Sequence, residues 1–384
     1  MNVHDDRSCD FREKGGAHAG KSIDGDDRVE MISGERTAAQ AAPTSGARTP
    51  VTIGVAVRYE TPGTLKAFVE RLSLAAKLLD AHAESEVLIC VNGATQDTRR
   101  SVEEAVSRYS HPELQFSCIE SPPGKISAHR RIAAERRLQG HLLFVDADLG
   151  YAPETFLRLY QELTARPALW ACHAAVSASP SVADGWLAAA QDAYYVCSRY
   201  ALRKHLHGRC FILRDWLPEL GATRSASVPE DLDGGGSLRL ALGPIVDDIH
   251  YSRVIAVHLG QDAIGCARDA VVRFVPPHSW RELYKDSCRT EVELARLDAL
   301  FPEHRHVEKR VFRAVSDWAK MRRVFSEGGA LAAGYVALEL GMRAVARYRV
   351  RTGRATLAEA GICPTSVADV DQPGHPDQIS SAAA

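Results

Sequence analysis

The 384-residue chain carries 47 basic against 49 acidic residues, a net charge of −2, with 45% hydrophobic and 25% charged residues. That composition can bury a substantial core, and the near-neutral balance gives no whole-chain electrostatic case for nucleic-acid binding. Nine cysteines lie far apart, at 9, 90, 118, 172, 197, 210, 266, 288 and 363. No C-x-x-C occurs, so neither a zinc ribbon nor a disulfide framework is indicated and a reducing compartment fits best. The charged start, Met1 to Lys14, lacks the apolar core of a signal peptide. No stretch reaches the ~18 apolar residues of a spanning helix; the longest, Gly328 to Leu338, is closed by Glu327 and Glu339. The expectation is a cytoplasmic chain, at most peripheral to a membrane.

Residues 1–50 are rich in Gly, Ala, Ser, Thr and Asp without apolar periodicity, and read as disordered, as does the Pro-, Asp-, Gln- and Ala-rich tail 355–384. Between them, Val51 to Val57 is a β-branched run of strand length. Leu65, Phe68, Val69, Leu72, Ala76 and Leu79 then recur at spacings of three and four, one apolar helix face. The alternation repeats: strand at Glu86–Val91, helix at Thr98–Tyr109, strand at Gln115–Ile119, helix at Ile126–Leu138, strand at His141–Val145, helix at Pro153–Leu163. Strands and helices alternating through short links imply an α/β chain, a mostly parallel sheet with helices on both faces, whose ligands sit beyond the carboxyl ends of the strands. Further on, Val182–Leu206 reads as helix, Gly208–Leu213 and Ala270–Val275 as strands, and everything from Glu303 as a C-terminal helical appendix.

Gly15 to Ser22 fits G-x-x-x-x-G-K-S, but no strand precedes it and no amphipathic helix follows, so the phosphate-cradling context is missing. Asp-x-Asp occurs four times, at 24/26, 146/148, 231/233 and 369/371, and only Asp146-Ala-Asp148 directly follows an apolar strand. Two hard oxygen donors at a strand's carboxyl end suit Mg²⁺ or Mn²⁺, which complete their shell with water and phosphate. Lys125 opens a helix, where a cation opposes the dipole unless an anion sits beside it. Asp247-Asp248 also begin a helix, as caps or as a general base.

In order, these segments resemble the family 2 glycosyltransferases of GT-A fold, over roughly residues 51–300. Val51 to Glu60 looks like the opening strand and its nucleotide-side loop, and Cys90 to Thr98 is similar to V-D-D-G-S-T-D-G-T. Gly124 through Arg130 resembles G-K-x-x-A-x-N, and Phe144-Val-Asp-Ala-Asp148 the metal site. Gly208 to Arg214 resembles the glycine-led strand framing the acceptor pocket, and Val246-Asp247-Asp248 the E-D motif. The resemblance implies a nucleotide-sugar half at 51–150, an acceptor half at 151–302 and an appendix at 303–354. It places a nucleotide-sugar donor against Val57, Tyr59, Glu60, Asn92, Lys125, Asp146 and Arg214, and Mg²⁺ or Mn²⁺ on Asp148 and Asp146. Asp248 takes the place of the base, with Asp247 beside it, and inverting transfer to a hydroxyl acceptor, lipid-linked or a small molecule, follows.

Val91 stands where the family has the acid that reads the nucleobase, and Q-x-x-R-W is reduced to Arg289 within Asp286 to Thr290, unlike a processive synthase. Glu230-Asp231 is a rival acid pair without the downstream glycine frame. Two other classes compete. A sugar-1-phosphate nucleotidyltransferase needs a glycine-rich loop after the first strand, whereas Arg58 to Gly63 has one glycine; a catalytically inactive GT-A binding module would not need both acid pairs. Residues 303–354 hold twelve basic against five acidic residues, and Leu331, Tyr335, Val336, Leu338, Leu340, Met342 and Val345 lie between basic clusters. This predicts peripheral contact with an anionic membrane or, equally in kind, an apolar stripe packed on the catalytic domain.

Overall fold

The apolar runs pair into one sheet. The structure, a computed structural model, describes residues 48–58, 62–93, 96–179, 185–198, 205–214, 246–277, 279–305, 307 and 316–354. In chain order the elements are β1 (Val51–Val57), α1 (Pro62–Asp80), β2 (Ser85–Asn92), α2 (Gln96–Tyr109), β3 (Gln115–Ser121), α3 (Lys125–Glu135), β4 (His141–Asp146), β5 (Gly150–Tyr151), α4 (Thr155–Ala165) and β6 (Ala171–Ala178). They continue with α5 (Trp186–Ser198), β7 (Cys210–Leu213), α6 (Asp247–His258), β8 (Ile264–Phe274), α7 (Trp280–Leu300), α8 (Ser316–Glu327) and α9 (Gly329–Arg351). Among the described residues the sheet has eight strands in the order β3-β2-β1-β4-β7-β6-β8-β5. β1, β2, β3 and β4 are mutually parallel, β6 and β8 are parallel, and β7 runs antiparallel to both β4 and β6. The chain is therefore α/β with a mostly parallel sheet flanked by helices and a helical C-terminal region, as the alternation implied.

Because successive side chains point to opposite faces, each strand feeds two cores. Ile53, Val55, Val87, Ile89 and Val145 pack beneath α1, α2 and α4, where Leu65, Phe68, Val69, Leu72, Ala76 and Leu79 are all buried. Leu88, Cys90, Leu142 and Phe144 pack beneath α3 and α6. A third cluster joins α5 to α7, α8 and α9 through Leu187, Tyr194, Leu283, Val324, Tyr335 and Val336. Burying strands on both faces explains their near-continuous apolar sequence.

Several boundaries differ from the sequence expectation. Residues 48–50 belong to the folded body, since the Pro50 carbonyl accepts from the His141 amide at 2.8 Å. The helix expected at Val182–Leu206 is the shorter α5; Leu206 lies outside it, fully buried against α6, with its amide donating to Ser252 Oγ at 2.8 Å. Its apolar character reflects tertiary burial, not helical period. The strand expected at Ala270–Val275 begins already at Ile264 and carries a bulge against Ala174/Ala175. The apolar stretch expected to close at Glu339 continues as α9, within which Glu339 pairs with Arg343 one turn on at 2.8 Å. With 23 residues and a mean hydropathy of 1.2 over its best 18-residue window, α9 is long and apolar enough to cross a membrane. A core helix has the same profile, and α9 buries Ala332, Tyr335, Val336 and Ala346. The Gly15–Ser22 motif, the acid pairs at 24/26, 231/233 and 369/371, Glu230-Asp231, residues 1–47 of the segment 1–50 expected to be disordered, and the tail 355–384 lie outside the described residues.

Candidate active site

Four chain segments meet at the carboxyl end of β4. Asp146 ends that strand, and the Lys125 ammonium lies 2.7 Å from its Oδ1. Lys125 reaches Asp247 Oδ2 at 3.1 Å and donates to the Gly208 carbonyl at 2.7 Å. Asp248 Oδ2 accepts from the Gly208 amide at 3.1 Å, so one glycine ties Lys125 to the second acid pair. A Cβ on Gly208 would stand 3.1 Å from Asp248 Cβ, 3.2 Å from its Cγ and 3.3 Å from Asp247 Oδ1, so only glycine leaves both acids undisturbed. The Arg209 carbonyl accepts from the Asp146 amide at 2.9 Å, closing the same junction from the other side.

Lys125 is the first residue of α3, behind Gly124 at φ 126. The anions that offset the dipole there are Asp146 and Asp247 themselves. Burial favours the neutral lysine, but Asp146 and Asp247 outweigh it and hold the Lys125 pKa above the ordinary lysine range. Burial pushes Asp146 up to about 6, against the pull of Lys125 and with Asp247 adding to the rise. Asp247 is likewise raised by burial and by Asp248, with Lys125 opposing. Buried charges of this kind persist only when paired and hydrogen-bonded. The N-cap position itself is Val246, without a side-chain cap, and inside the first turn Asp248 Oδ1 accepts from the Ile249 amide at 2.8 Å.

Below the charges lies a block of rings. His129, one turn along α3 from Lys125, stacks on Phe144 at 3.9 Å between centroids, and its Nδ1 lies 3.1 Å from Tyr251 Oη on α6. Burial, with Lys125 nearby, drives the His129 pKa well below its ordinary value, so the ring is neutral. Phe211 packs beside both at 5.5 Å from Phe144 and 5.8 Å from Tyr251. The rings lock the helix starts carrying Lys125 and Asp247-Asp248 to β4 and β7.

The residues singled out from sequence divide clearly. Asp146, Lys125, Asp247 and Asp248 converge; Asp148 sits two residues past β4 in an exposed turn, near enough to influence Asp146 electrostatically. Asn92 is buried, and its Oδ1 accepts from the Gly124 amide at 2.8 Å, so it braces the loop before Lys125. The neighbouring turn needs Gly93, at φ 61, because a Cβ there would lie 2.4 Å from the Pro123 ring. The Val57 side chain is fully buried in the core, leaving only its backbone at the strand end. Arg214 corrects an expectation. Since β7 is antiparallel to β4, Arg214 lies at the opposite end of the sheet, donating to the carbonyls of Leu169 at 2.6 Å and Leu163 at 2.8 Å. Tyr59 and Glu60 lie outside the described residues.

Sequence reasoning missed Glu293. On α7, burial pushes its carboxyl up to about 7, opposed by Arg289, with Asp247, Asp248 and Asp286 adding to the rise. Asp286, Arg289 and Glu293 follow the helical spacing of three and four, a signal present in the sequence. No group of three or more His, Cys, Asp or Glu able to hold a metal exists among the described residues. Asp146 and Asp148 nonetheless offer two hard oxygen donors on a strand-end turn, and carboxylates outnumber Lys125 around them. That donor set fits Mg²⁺ or Mn²⁺, which take few protein ligands.

No protein-family model matches the chain, and no curated protein matches it. Among solved structures, the chain is similar to a mannosyltransferase from Pyrobaculum calidifontis in complex with GDP-Man and Mn²⁺, at 19% identity, TM-score 0.43, covering 84% of this chain and 80% of that one. It is also similar to glucosyl-3-phosphoglycerate synthase from Mycobacterium tuberculosis in complex with Mn²⁺, UDP-glucose and phosphoglyceric acid, at 15% identity, TM-score 0.40, covering 66% of this chain and 79% of that one.

Proposed function

We propose that the chain is a GT-A glycosyltransferase that moves a sugar from a nucleotide-sugar donor to an acceptor hydroxyl with inversion. One observation carries this reading: Lys125 and Asp146, with Asp247 and Asp248 from more than 100 residues further along the chain, gather around Gly208 at the carboxyl end of β4. Ligands of open α/β sheets bind in that place. Asp248 serves as general base and takes the proton from the acceptor hydroxyl as its oxygen attacks the anomeric carbon from the side opposite the leaving group. Asp247 holds Lys125, whose ammonium stands 2.7 Å from Asp146. Asp146 and Asp148 would hold Mg²⁺ or Mn²⁺, which when bound offsets charge on the departing diphosphate.

Sugar release from a panel of nucleotide sugars tests the reading, with Asp248→Asn as control. The substitution keeps shape, so the fold should persist while turnover falls about 10²–10⁴-fold. Full activity in Asp248→Asn would remove the base assignment, and full activity in EDTA would remove the metal. We further infer that the appendix rests on an anionic membrane surface on the cytoplasmic face, near a lipid-linked acceptor. α9 buries one side, while Leu331, Leu340, Val345 and Tyr348, with Phe325 of α8, are exposed beside the basic residues of this segment.

A further inference from the structure

Next to the acid cluster is a cavity of about 180 Å³ between β6, β8, the segment leading into β7 and helices α5, α7 and α9. On the same measure one water needs roughly 10–15 Å³, so the space holds far more than solvent bridging two groups. His207 and Arg209 line it from the segment that contains Gly208, Asp286 from α7, and Glu339 and Arg343 from α9. The cavity is thus one residue from the glycine whose amide donates to Asp248, and the C-terminal helix forms part of its wall.

Its charges are unequally matched. Asp286 is ion-paired with Arg289, and Glu339 with Arg343 at 2.8 Å. Arg209 pairs with no carboxylate among the described residues, and its buried Nε has no hydrogen-bond partner. Its guanidinium lies over the Phe274 ring at 3.8 Å from the centroid. Stacking on a ring engages the face of a guanidinium, and its N–H edge matches a planar or tetrahedral oxyanion in two-point geometry. Both acids in the wall already carry their own arginine, so they do not cancel this cation.

We propose that this cavity is the acceptor subsite, and that it selects a hydroxyl compound bearing an oxyanion, phosphate or carboxylate, anchored by Arg209. The proposal rests on the glycosyl-transfer reading for the word acceptor; the anion site itself does not. The experiment is calorimetric binding of glucose 6-phosphate, glucuronate and glucose, three probes on one scaffold, at low salt and without donor. At least one charged probe should bind about tenfold or more tightly than glucose, the margin expected for a charge-assisted hydrogen-bonded pair. The better of the two charged probes tells phosphate from carboxylate. Arg209→Gln should reduce that probe to the glucose level, and Arg209→Lys should retain part of the preference. Equal binding of all three probes, no binding by either charged one, or an unchanged preference in a folded Arg209→Gln overturns the proposal. If Arg209→Gln does not fold, the wild-type comparison decides alone. Nucleotide-sugar binding by the wild-type chain, measured separately, distinguishes the two claims: donor binding without anion preference removes the subsite, and anion preference without donor binding removes the glycosyl-transfer reading.

Discussion

Glu293 shows how a single half-buried carboxylate shapes the energetics of the site. It is held up to about 7 from an ordinary 4.5, first by burial and then by Asp247, Asp248 and Asp286, with Arg289 opposing. A folded-state pKa above the unfolded one means that the native chain binds the extra proton between those values. Stability from this group is therefore greatest below about pH 4.5 and falls as pH rises toward 7. Glu293→Gln removes the ionisation and should flatten the pH dependence in that window. Above pH 7 the variant should be more stable by roughly 1–3 kcal/mol. Chemical denaturation across pH measures this, and parallel curves for the two proteins would refute it. Glu293 also marks where the sequence ran out. Asp146, Lys125, Asp247 and Asp248 were legible because each stands at a strand or helix end with a motif around it. Glu293, Arg209 and the side-chain destination of Asn92 depend on which helix or loop packs opposite, and local pattern does not carry that. Arg214 misled for the same reason: its distance from the strand start was readable, but the direction of the strand was not.

The element that most changes meaning between sequence and structure is α9. Its apolar positions and its arginines left core packing and membrane contact both open, and the structure shows it packed on two sides. One side buries Tyr335 and Val336 with α5; another is tied to α7 by Arg347, whose Nε and Nη2 lie 2.9 and 2.7 Å from the two oxygens of Glu291. Glu291 is only 7% exposed, so removing the guanidinium strands a buried charge. Arg347→Ala should cost about 1–3 kcal/mol, discounted because the arginine side chain is partly in water. Glu291→Gln in the Arg347→Ala background should recover part of the loss. Urea titrations of Arg347→Ala, Glu291→Gln and the double variant read this directly, and additive losses would show that the pair does not act as a unit. Since Glu339 and Arg343 ride on α9, loosening it should also weaken acceptor binding before it weakens the fold.

At the scale of the whole molecule, charge is unevenly shared: the chain is at −2, while residues 303–354 alone are at +7. Flotation with anionic vesicles at low salt should carry the full chain, each well-placed cation contributing about 1 kcal/mol, and neutral vesicles should not. Leu340→Glu with Val345→Glu should abolish flotation without unfolding, because both positions are exposed. Cutting the chain near Ser326 is a poor test, since it would strip Tyr335 and Val336 from the core. Equal flotation by the double variant, or none by wild type, would leave α9 with its packing role alone. The fold class was readable at this scale because hydrophobic period and loop length report it. The order of the strands was not, because it depends on long-range pairing.

That order has a consequence for how the protein is made. β7 pairs with β4 on one side and β6 on the other, joining the parallel β1–β4 half to the parallel β6 and β8. Until residue 210 has emerged and inserted, β4 is an unpaired edge whose Leu142, Leu143 and Phe144 backbone groups invite another chain. Ribosome-attached chains ending before β7 should therefore need chaperone cover, as long-range strand insertion is slow. The same insertion delivers Gly208 to Lys125, and Asp248, 40 residues further along, joins them with α6, so the charge cluster assembles only after β7 has filled the place between β4 and β6.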